Sequence, residues 1–132
     1  MSRLEGDVMT EQETFALLDE IGAAFARHDV DAMGGFFAQE GAFVNAVGPD
    51  PFGTRYTGHD EIRIYFDKLF ATTEDVQWEK LDARVAGDKA YTEWHRRATL
   101  KSGEKQDWLG VDVYTFGDGE IAKKDTYIKV VG

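Results

Sequence analysis

An aspartate interrupts an apolar stretch in the last quarter of the chain, "GVDVYTF" at residues 110–116. The stretch is typical of a β-strand whose two faces are both covered, so the carboxyl group of Asp112 is expected to lie away from bulk water. Such a group needs a partner or becomes neutral, because desolvation disfavours its charged form. With a cationic partner it is an acceptor or a general base, and as a neutral acid it donates a proton to a substrate oxygen. A structural ion pair is the alternative role.

Two basic side chains are candidate partners for this carboxylate. They are Arg96 and Lys124, each from a run of two basic residues in a strand-like segment, "RR" at 96–97 and "KK" at 123–124. Side chains alternate across a strand, so one member of each run points inward. In "KAYTEWHRRATL" the more apolar set includes Arg96, whereas in "EIAKKDTYIKVV" two alternate sets compete for the inner face. An inner Lys124 would complete a polar floor suited to a ligand with a carboxylate, a phenol or an enolisable carbonyl.

Aromatic side chains and one asparagine are candidates for the walls of a pocket around this floor. Aromatic rings can stack on a flat ligand or form an apolar wall, although packing in the core is the alternative for each of them. The asparagine could orient a substrate or a water molecule, or cap its own loop. The candidate ligand-binding residues are Phe43, Asn45, Tyr56, Phe66, Trp94, Trp108 and Tyr114.

Other site chemistries have little support in the sequence. The three histidines, His28, His59 and His95, lack metal-ligand spacing, and His59 is most simply a surface residue near a helix cap. There is no cysteine, and no nucleophile elbow occurs. The glycines of "GDGE" are better explained by a hairpin turn than by a phosphate loop. We therefore expect neither a metal nor a cofactor.

Length and charge limit the architecture and the partners. The chain has 132 residues, so one domain over residues 1–132 is expected, with a flexible tail at residues 1–9. A net charge of -10 argues against nucleic acid and anionic membranes as partners. No signal core or stretch of about 20 apolar residues occurs, which favours a soluble, cytoplasmic protein.

The first half of the chain predicts three helices and one strand. A capping box at Thr10 and Glu13 begins a helix over about 11–28. Asp29 caps a short second helix whose apolar stripe is Val30, Met33, Phe36 and Phe37. "GAFVNAVG" predicts a strand, and "GPDPFGTRYTG" predicts a loop. A third helix, capped by Thr57 or Gly58, carries the apolar residues Ile62, Tyr65, Phe66, Leu69 and Phe70.

The second half predicts an antiparallel meander. From Val76 onward the turn signals "AGDK", "KSGE" and "GDGE" separate four stretches rich in Val, Tyr, Trp and Thr. Helices followed by a long sheet indicate the α+β class, with helices on one face of the sheet. The other face carries the aliphatic set Leu109, Val111, Val113 and Thr115. In so small a protein, a second copy of the chain is expected to cover this face, so we predict a homodimer through the outer face of the sheet.

The segments "ARHDVDAMGGFFAQEGAFV", "YTGHDEIRIYF" and "GVDVYTFGDGEIAKKDTY", in this order of elements, resemble the nuclear transport factor 2-like superfamily and its SnoaL-like polyketide cyclases. The resemblance covers about residues 10–130. It implies a cystatin-like α+β cone, a curved antiparallel sheet wrapped on three N-terminal helices around an apolar pocket. In the ketosteroid isomerases and SnoaL-like cyclases of this superfamily, a carboxylic acid at the position of Asp112 points into that pocket.

Two catalytic patterns of the superfamily are not intact in this chain. The tyrosine that partners the acid in ketosteroid isomerases matches Ile21, and the proton-abstracting aspartate falls at or beside Asn45 and Ala46. In limonene epoxide hydrolases the arginine and aspartate of the middle strand correspond to Trp94 and Arg96. The resemblance therefore implies another reaction. We expect a cofactor-independent enzyme that cyclises, isomerises, dehydrates or hydrolyses a small hydrophobic oxygenated molecule by proton transfer, with Asp112, Arg96 and Lys124 as catalytic residues. A non-catalytic binding or dimerisation module is the alternative.

Overall fold

The computed structural model describes residues 9–130. Its elements are helices α1 (Glu11–Ala26) and α2 (Val30–Gly35), strands β1 (Phe37–Val44) and β2 (Arg55–Thr57), helix α3 (Gly58–Thr72), and strands β3 (Thr73–Ala86), β4 (Lys89–Leu100), β5 (Lys105–Gly117) and β6 (Glu120–Ile128). The strands form one sheet in the order β2-β1-β6-β5-β4-β3. The α+β class with helices before a long curved sheet is confirmed. Apart from Met9, the predicted tail at residues 1–9 lies outside the described residues.

Helix α1 begins at the predicted capping box. The Glu13 backbone N–H donates to the Thr10 hydroxyl at 3.1 Å, and the Thr10 N–H donates to the Glu13 carboxylate at 2.9 Å. Such a box satisfies two backbone donors that the first helical turn leaves free. The helix ends at Ala26, short of the predicted residue 28, because His28 turns the chain with a φ of 56°. Its apolar face, with Leu18, Ile21 and Phe25, is buried.

Helix α2 is capped by Asp29, as predicted, through a 3.1 Å hydrogen bond from the Ala32 N–H. The assignment of Phe37 to the stripe of this helix was wrong. Two consecutive glycines have little helical propensity, so the helix ends at Gly35 and Phe37 begins β1 as a fully buried residue. The predicted loop at 48–58 also contains the short strand β2.

Helix α3 packs Ile62 and Phe66 into the core. Its first turn is fixed to β1, since Nε2 of the half-buried His59 donates to the Phe37 carbonyl at 2.8 Å. Thr57 precedes the helix but makes no side-chain capping bond. Within residues 9–130, no helix is both long and apolar enough to cross a membrane.

The predicted meander is confirmed, with β3 to β6 paired antiparallel in sequence. The pairing of β1 with β6 is parallel, and it places Phe43 opposite Lys124. A register irregularity between Thr115 and Phe116 allows both Ile121 and Lys124 to be buried, although they are three positions apart. This irregularity settles the question that alternation left open, because Lys124 and Thr126 lie on the inner face.

Candidate functional site

A cavity of about 470 Å³ lies between the helices and the inner face of the sheet. This volume is within the usual range for a small-molecule site, roughly 300 to 1,000 Å³. Helices α1 and α3 supply mostly apolar walls, while β4, β5 and β6 supply the polar groups. The chain has three tryptophans, and all of them, Trp78, Trp94 and Trp108, line the cavity.

Asp112 lies on the cavity floor. The register of the sheet places it between Thr92 of β4 and Thr126 of β6. Asp112 is 7% exposed, and its Oδ1 accepts a hydrogen bond of 2.6 Å from the Thr126 hydroxyl. The Lys124 ammonium lies 3.4 Å from the same oxygen. The ammonium compensates the charge of an Asp112 carboxylate, and the hydroxyl supplies it with a hydrogen bond.

The two oxygens of this carboxylate have different surroundings. Both the Thr126 hydroxyl and the Lys124 ammonium contact Oδ1. Among the described residues, Oδ2 has no protein hydrogen-bond partner, and it is not sealed in the interior as an unpaired atom. The first oxygen therefore holds the side chain in position, and the second is available to a molecule in the cavity.

Lys124 is held by aromatic faces as well as by Asp112. Its Nζ lies 4.7 Å from the centroid of the Phe43 ring and 5.1 Å from that of Phe25. A desolvated ammonium over such faces gains cation–π attraction. The side chain of Lys124 is 6% exposed, so its charge is confined to the floor of the cavity.

Arg96 lines another part of the cavity and does not pair with Asp112. Its Nη1 donates to the neutral side-chain oxygen of Gln106 at 2.8 Å. The guanidinium carbon lies 4.6 Å from the ring centroid of Trp108 and 5.9 Å from that of Trp78. Arg96 is 5% exposed, and burial lowers the pKa of its guanidinium. The predicted inward orientation is confirmed, whereas a direct contact with the Asp112 carboxylate is not observed.

Trp94 occupies the inner face between these two groups. Its six-membered ring covers Gly110 on the neighbouring strand, where an added Cβ would lie only 2.6 Å from Cζ2 of the indole. The indole nitrogen is buried without a hydrogen-bond partner among the described residues. Glycine at 110 thus lets the large ring lie close against the sheet and leaves room in the cavity above it.

Two tyrosines add further polar groups. The Asn45 side-chain amide donates to the Tyr65 hydroxyl at 3.2 Å. Burial raises the pKa of Tyr65, and the hydrogen bond from Asn45 acts in the opposite direction. Burial and, secondarily, the Asp112 carboxylate raise the pKa of Tyr114 well above its usual value. Both hydroxyls therefore remain protonated at neutral pH.

Six of the seven candidate ligand-binding residues line the cavity, namely Phe43, Asn45, Phe66, Trp94, Trp108 and Tyr114. Tyr56 does not line it; its ring stacks on Phe43 at 6.0 Å between centroids and supports that wall from behind. The functional roles of all these residues stay predictions. Sequence reasoning did not single out Tyr65, Gln106, Thr126 or Trp78 for the site. The alternation of β5 and β6 would have indicated Gln106 and Thr126, since they share a face with Trp108 and Lys124.

Within residues 9–130, no three His, Cys, Asp or Glu side chains converge on a point suited to a metal ion. His28 stacks on Phe70 and bonds the Val76 carbonyl, and His95 contacts Asp107 on the outer face. These contacts give each of the two histidines a structural partner.

Residues 19–124 match the family model of the SnoaL-like domain. The chain belongs to this family. The match covers most of the chain, and it confirms the resemblance to the SnoaL-like family that the sequence motifs indicate.

Solved structures show the same fold at low identity. A nuclear transport factor 2-like protein of unknown function from Burkholderia pseudomallei K96243 has a TM-score of 0.79 at 18% identity, over 92% of each chain. A candidate polyketide cyclase from Xanthomonas campestris pv. campestris has a TM-score of 0.78 at 20% identity, over 88% of this chain and 90% of its own. SalBIII is an epoxide hydrolase/cyclase-like enzyme of pyran ring formation in the polyether salinomycin. It has a TM-score of 0.78 at 20% identity, over 91% of this chain and 93% of its own. No curated protein matches the chain.

Proposed function

We propose that this SnoaL-like protein is a cofactor-independent enzyme that moves a proton on a small hydrophobic oxygenated molecule, with Asp112 as the general base. The observation that carries the proposal is the asymmetry of this carboxylate. Oδ1 is held by Thr126 at 2.6 Å and by Lys124 at 3.4 Å, while Oδ2 has no partner among the described residues. A base needs this combination of a fixed side chain and a free oxygen within reach of the substrate.

The proposed step begins with a C–H group beside a carbonyl. Asp112 accepts the proton through Oδ2, the C–H bond breaks, and its electron pair becomes an enolate whose charge rests on the carbonyl oxygen. The adjacent ammonium of Lys124 stabilises this negative charge, as fixed cations do in sites that exclude water. In an isomerisation, Asp112 returns the proton to another carbon of a conjugated enolate and the carbonyl re-forms. In a ring closure, the enolate carbon attacks a second carbonyl carbon of the same molecule, a C–C bond forms, the C=O π bond breaks, and Asp112 gives the proton to the resulting alkoxide. Two structural neighbours are described as cyclases or cyclase-like enzymes, and they themselves establish only the fold.

A non-catalytic binding module is the second candidate function. The ion pair between Asp112 and Lys124 favours it, because the two side chains already compensate each other's charge. A pure dimerisation unit with a filled cavity is disfavoured by the open volume of about 470 Å³. Catalysis and binding differ in one measurable respect, which is whether Asp112 exchanges protons with a bound ketone.

The test uses 2-tetralone, a neutral bicyclic ketone with acidic C–H groups, in D₂O at neutral pH. We expect the protein to accelerate replacement of these hydrogens by deuterium, measured by the loss of their ¹H NMR signals. Asp112→Asn keeps the size of the side chain and removes its basicity, so the acceleration should fall by about 100-fold or more, the lower end of what general bases contribute.

The matched control is Asp125→Asn. Asp125 also pairs with a neighbouring lysine, at 3.6 Å from Lys123, but it lies outside the residues that line the cavity. This variant should accelerate the deuterium exchange of 2-tetralone as much as the unmodified protein does. Equal rates for the two variants, or no acceleration by the unmodified protein, would contradict a catalytic role and leave the binding module as the better description.

A further inference from the structure

The guanidinium of Arg96 differs from the other charged groups around the cavity. The ammonium of Lys124 is compensated by Asp112 at 3.4 Å, and that of Lys80 by Asp19 at 3.0 Å. The remaining acidic lining residue, Glu93, is exposed. Among the described residues, the Arg96 guanidinium has no carboxylate partner, although the residue is only 5% exposed. The paired charges leave the inner part of the cavity with one uncompensated positive charge.

The contacts of Arg96 fix the plane of the guanidinium without neutralising it. Gln106 accepts one hydrogen bond at 2.8 Å, and the Trp108 and Trp78 rings lie 4.6 and 5.9 Å from the guanidinium carbon. A buried cation is costly to keep in a folded protein unless an anion compensates it. A guanidinium also offers donors in a planar fork that matches the two oxygens of a carboxylate. The missing partner is therefore expected to arrive with the ligand.

The register of the sheet gives the distance that this ligand must span. Asp112 pairs with Thr92, and Arg96 lies four positions further along the same strand. At a rise of about 3.3 Å per residue, the two positions are about 13 Å apart along β4. Trp94, two positions from each, lines the cavity between them and packs its ring against Gly110. The surface from Arg96 to Asp112 thus combines a cation, a planar aromatic face and a base.

We infer that the ligand of this cavity is a planar aromatic carboxylate, with its carboxylate on Arg96, its ring over Trp94 and its remote end at Asp112. The orientation of the ligand, with its reacting end at Asp112, rests on the proposed function of that residue. The carboxylate subsite at Arg96 rests only on the contacts of that side chain.

The test compares 2-naphthoate with 2-naphthamide, two molecules of nearly the same shape that differ in charge, by isothermal titration calorimetry. We expect the unmodified protein to bind the carboxylate at least about tenfold more tightly than the amide, as a charge-assisted bidentate contact provides. Arg96→Met should abolish this preference. Its affinity for the amide should stay within about twofold of that of the unmodified protein. Arg97→Met makes the same change of net charge at an exposed position, and it should keep the preference.

Folding of the variants is followed by their melting temperatures. Arg96→Met should melt at or above the temperature of the unmodified protein, because it removes a buried charge that has no opposite partner. If it fails to fold, Arg96→Lys, which keeps the charge but loses the planar fork, should still lower the preference for the carboxylate.

Equal binding of the two probes, or no binding of 2-naphthoate at millimolar concentration, would overturn the inference. Retention of the preference in the folded Arg96→Met variant would do the same. The proposed function is tested separately, since Asp112→Asn should lose deuterium exchange and keep the preference for 2-naphthoate. If the protein accelerates deuterium exchange of 2-tetralone but binds 2-naphthoate no more tightly than 2-naphthamide, only the carboxylate subsite is refuted. If it prefers 2-naphthoate but does not accelerate the exchange, only the catalytic role is refuted.

Discussion

At the scale of single residues, three buried charged side chains, Asp112, Arg96 and Lys124, line the cavity among aromatic rings. Alternation along β4 and β5 correctly placed Arg96 and Asp112 inward, because their flanking positions carry tryptophan and tyrosine that must be buried. The hydrogen-bond partner of Arg96 was not predictable, because it is not the residue directly opposite. Arg96 pairs with Trp108 on β5, whereas its side chain reaches Gln106, two positions away on that strand. Lys124 could not be oriented from alternation, because the irregularity beside Phe116 changes which positions of β6 face inward.

The buried hydroxyl of Tyr114 gives a prediction about alkaline pH. Its folded-state pKa lies well above the 10 of an exposed tyrosine, because burial and then the Asp112 carboxylate disfavour the phenolate. Below pH 10 the proton is bound in both folded and unfolded states. Above pH 10 the unfolded chain releases it first, so the free energy of unfolding should fall by up to about 1.4 kcal/mol per pH unit from this residue.

Tyr114→Phe keeps the ring, which stacks on Phe116 at 5.6 Å, and removes the ionisable group. Its free energy of unfolding, measured by denaturant titration between pH 9 and 11.5, should therefore decline less steeply than that of the unmodified protein. Parallel declines would show that Tyr114 ionises equally easily in both states, contrary to its burial.

At the scale of elements, the local patterns defined the ends of helices and the turns of the meander, but not every strand. Glycines 34 and 35 end α2, and the following Phe37 enters β1 because strand pairing buries it completely. The parallel pairing of β1 with β6 joins segments about 80 residues apart, and no local pattern encodes such a contact. The position of Phe43 beside Lys124, which helps to shape the cavity, depends on this pairing.

The contact of β4 with β5 at Gly110 predicts a steric effect. A Cβ at this position would lie 2.6 Å from Cζ2 of the Trp94 ring and 2.7 Å from the Tyr127 carbonyl oxygen, which belongs to the backbone of β6. Gly110→Ala should therefore lower the free energy of unfolding by about 1 to 3 kcal/mol, as measured by urea denaturation.

Gly117, on the same strand, is the control for this substitution, because a Cβ there would meet nothing within 4 Å. Gly117→Ala should change the free energy of unfolding by no more than about 0.5 kcal/mol. Equal losses in the two variants would mean that a general intolerance of β5 to alanine, rather than the Trp94 ring, explains the effect.

At the scale of the whole molecule, the outer face of the sheet remains without a cover in the single chain. Leu109, Tyr91 and Tyr127 are 42%, 37% and 55% exposed on adjacent strands. The same face carries acidic and basic side chains, among them Asp125 and Lys123. A surface with apolar groups and both signs of charge can be complementary to itself, so we propose that two copies of the chain pack through this face.

Light scattering after size-exclusion chromatography tests the dimer. The unmodified protein should have twice the 14.8 kDa mass of the chain, and the double substitution Leu109→Asp with Tyr127→Asp should reduce it to one chain. The control is Ile64→Asp, at a 68% exposed position of α3, which should leave the dimer intact. A monomeric unmodified protein would refute the proposal.

The clustering of every indole around one cavity has an optical consequence. Ultraviolet emission of a protein comes chiefly from tryptophan, and in this chain all of that emission originates at the cavity walls. The unlabelled molecule thus contains its own reporter, whose brightness and colour respond to whatever enters beside Trp78, Trp94 or Trp108. Compound collections can be screened against it directly, without a dye and without knowing the reaction in advance.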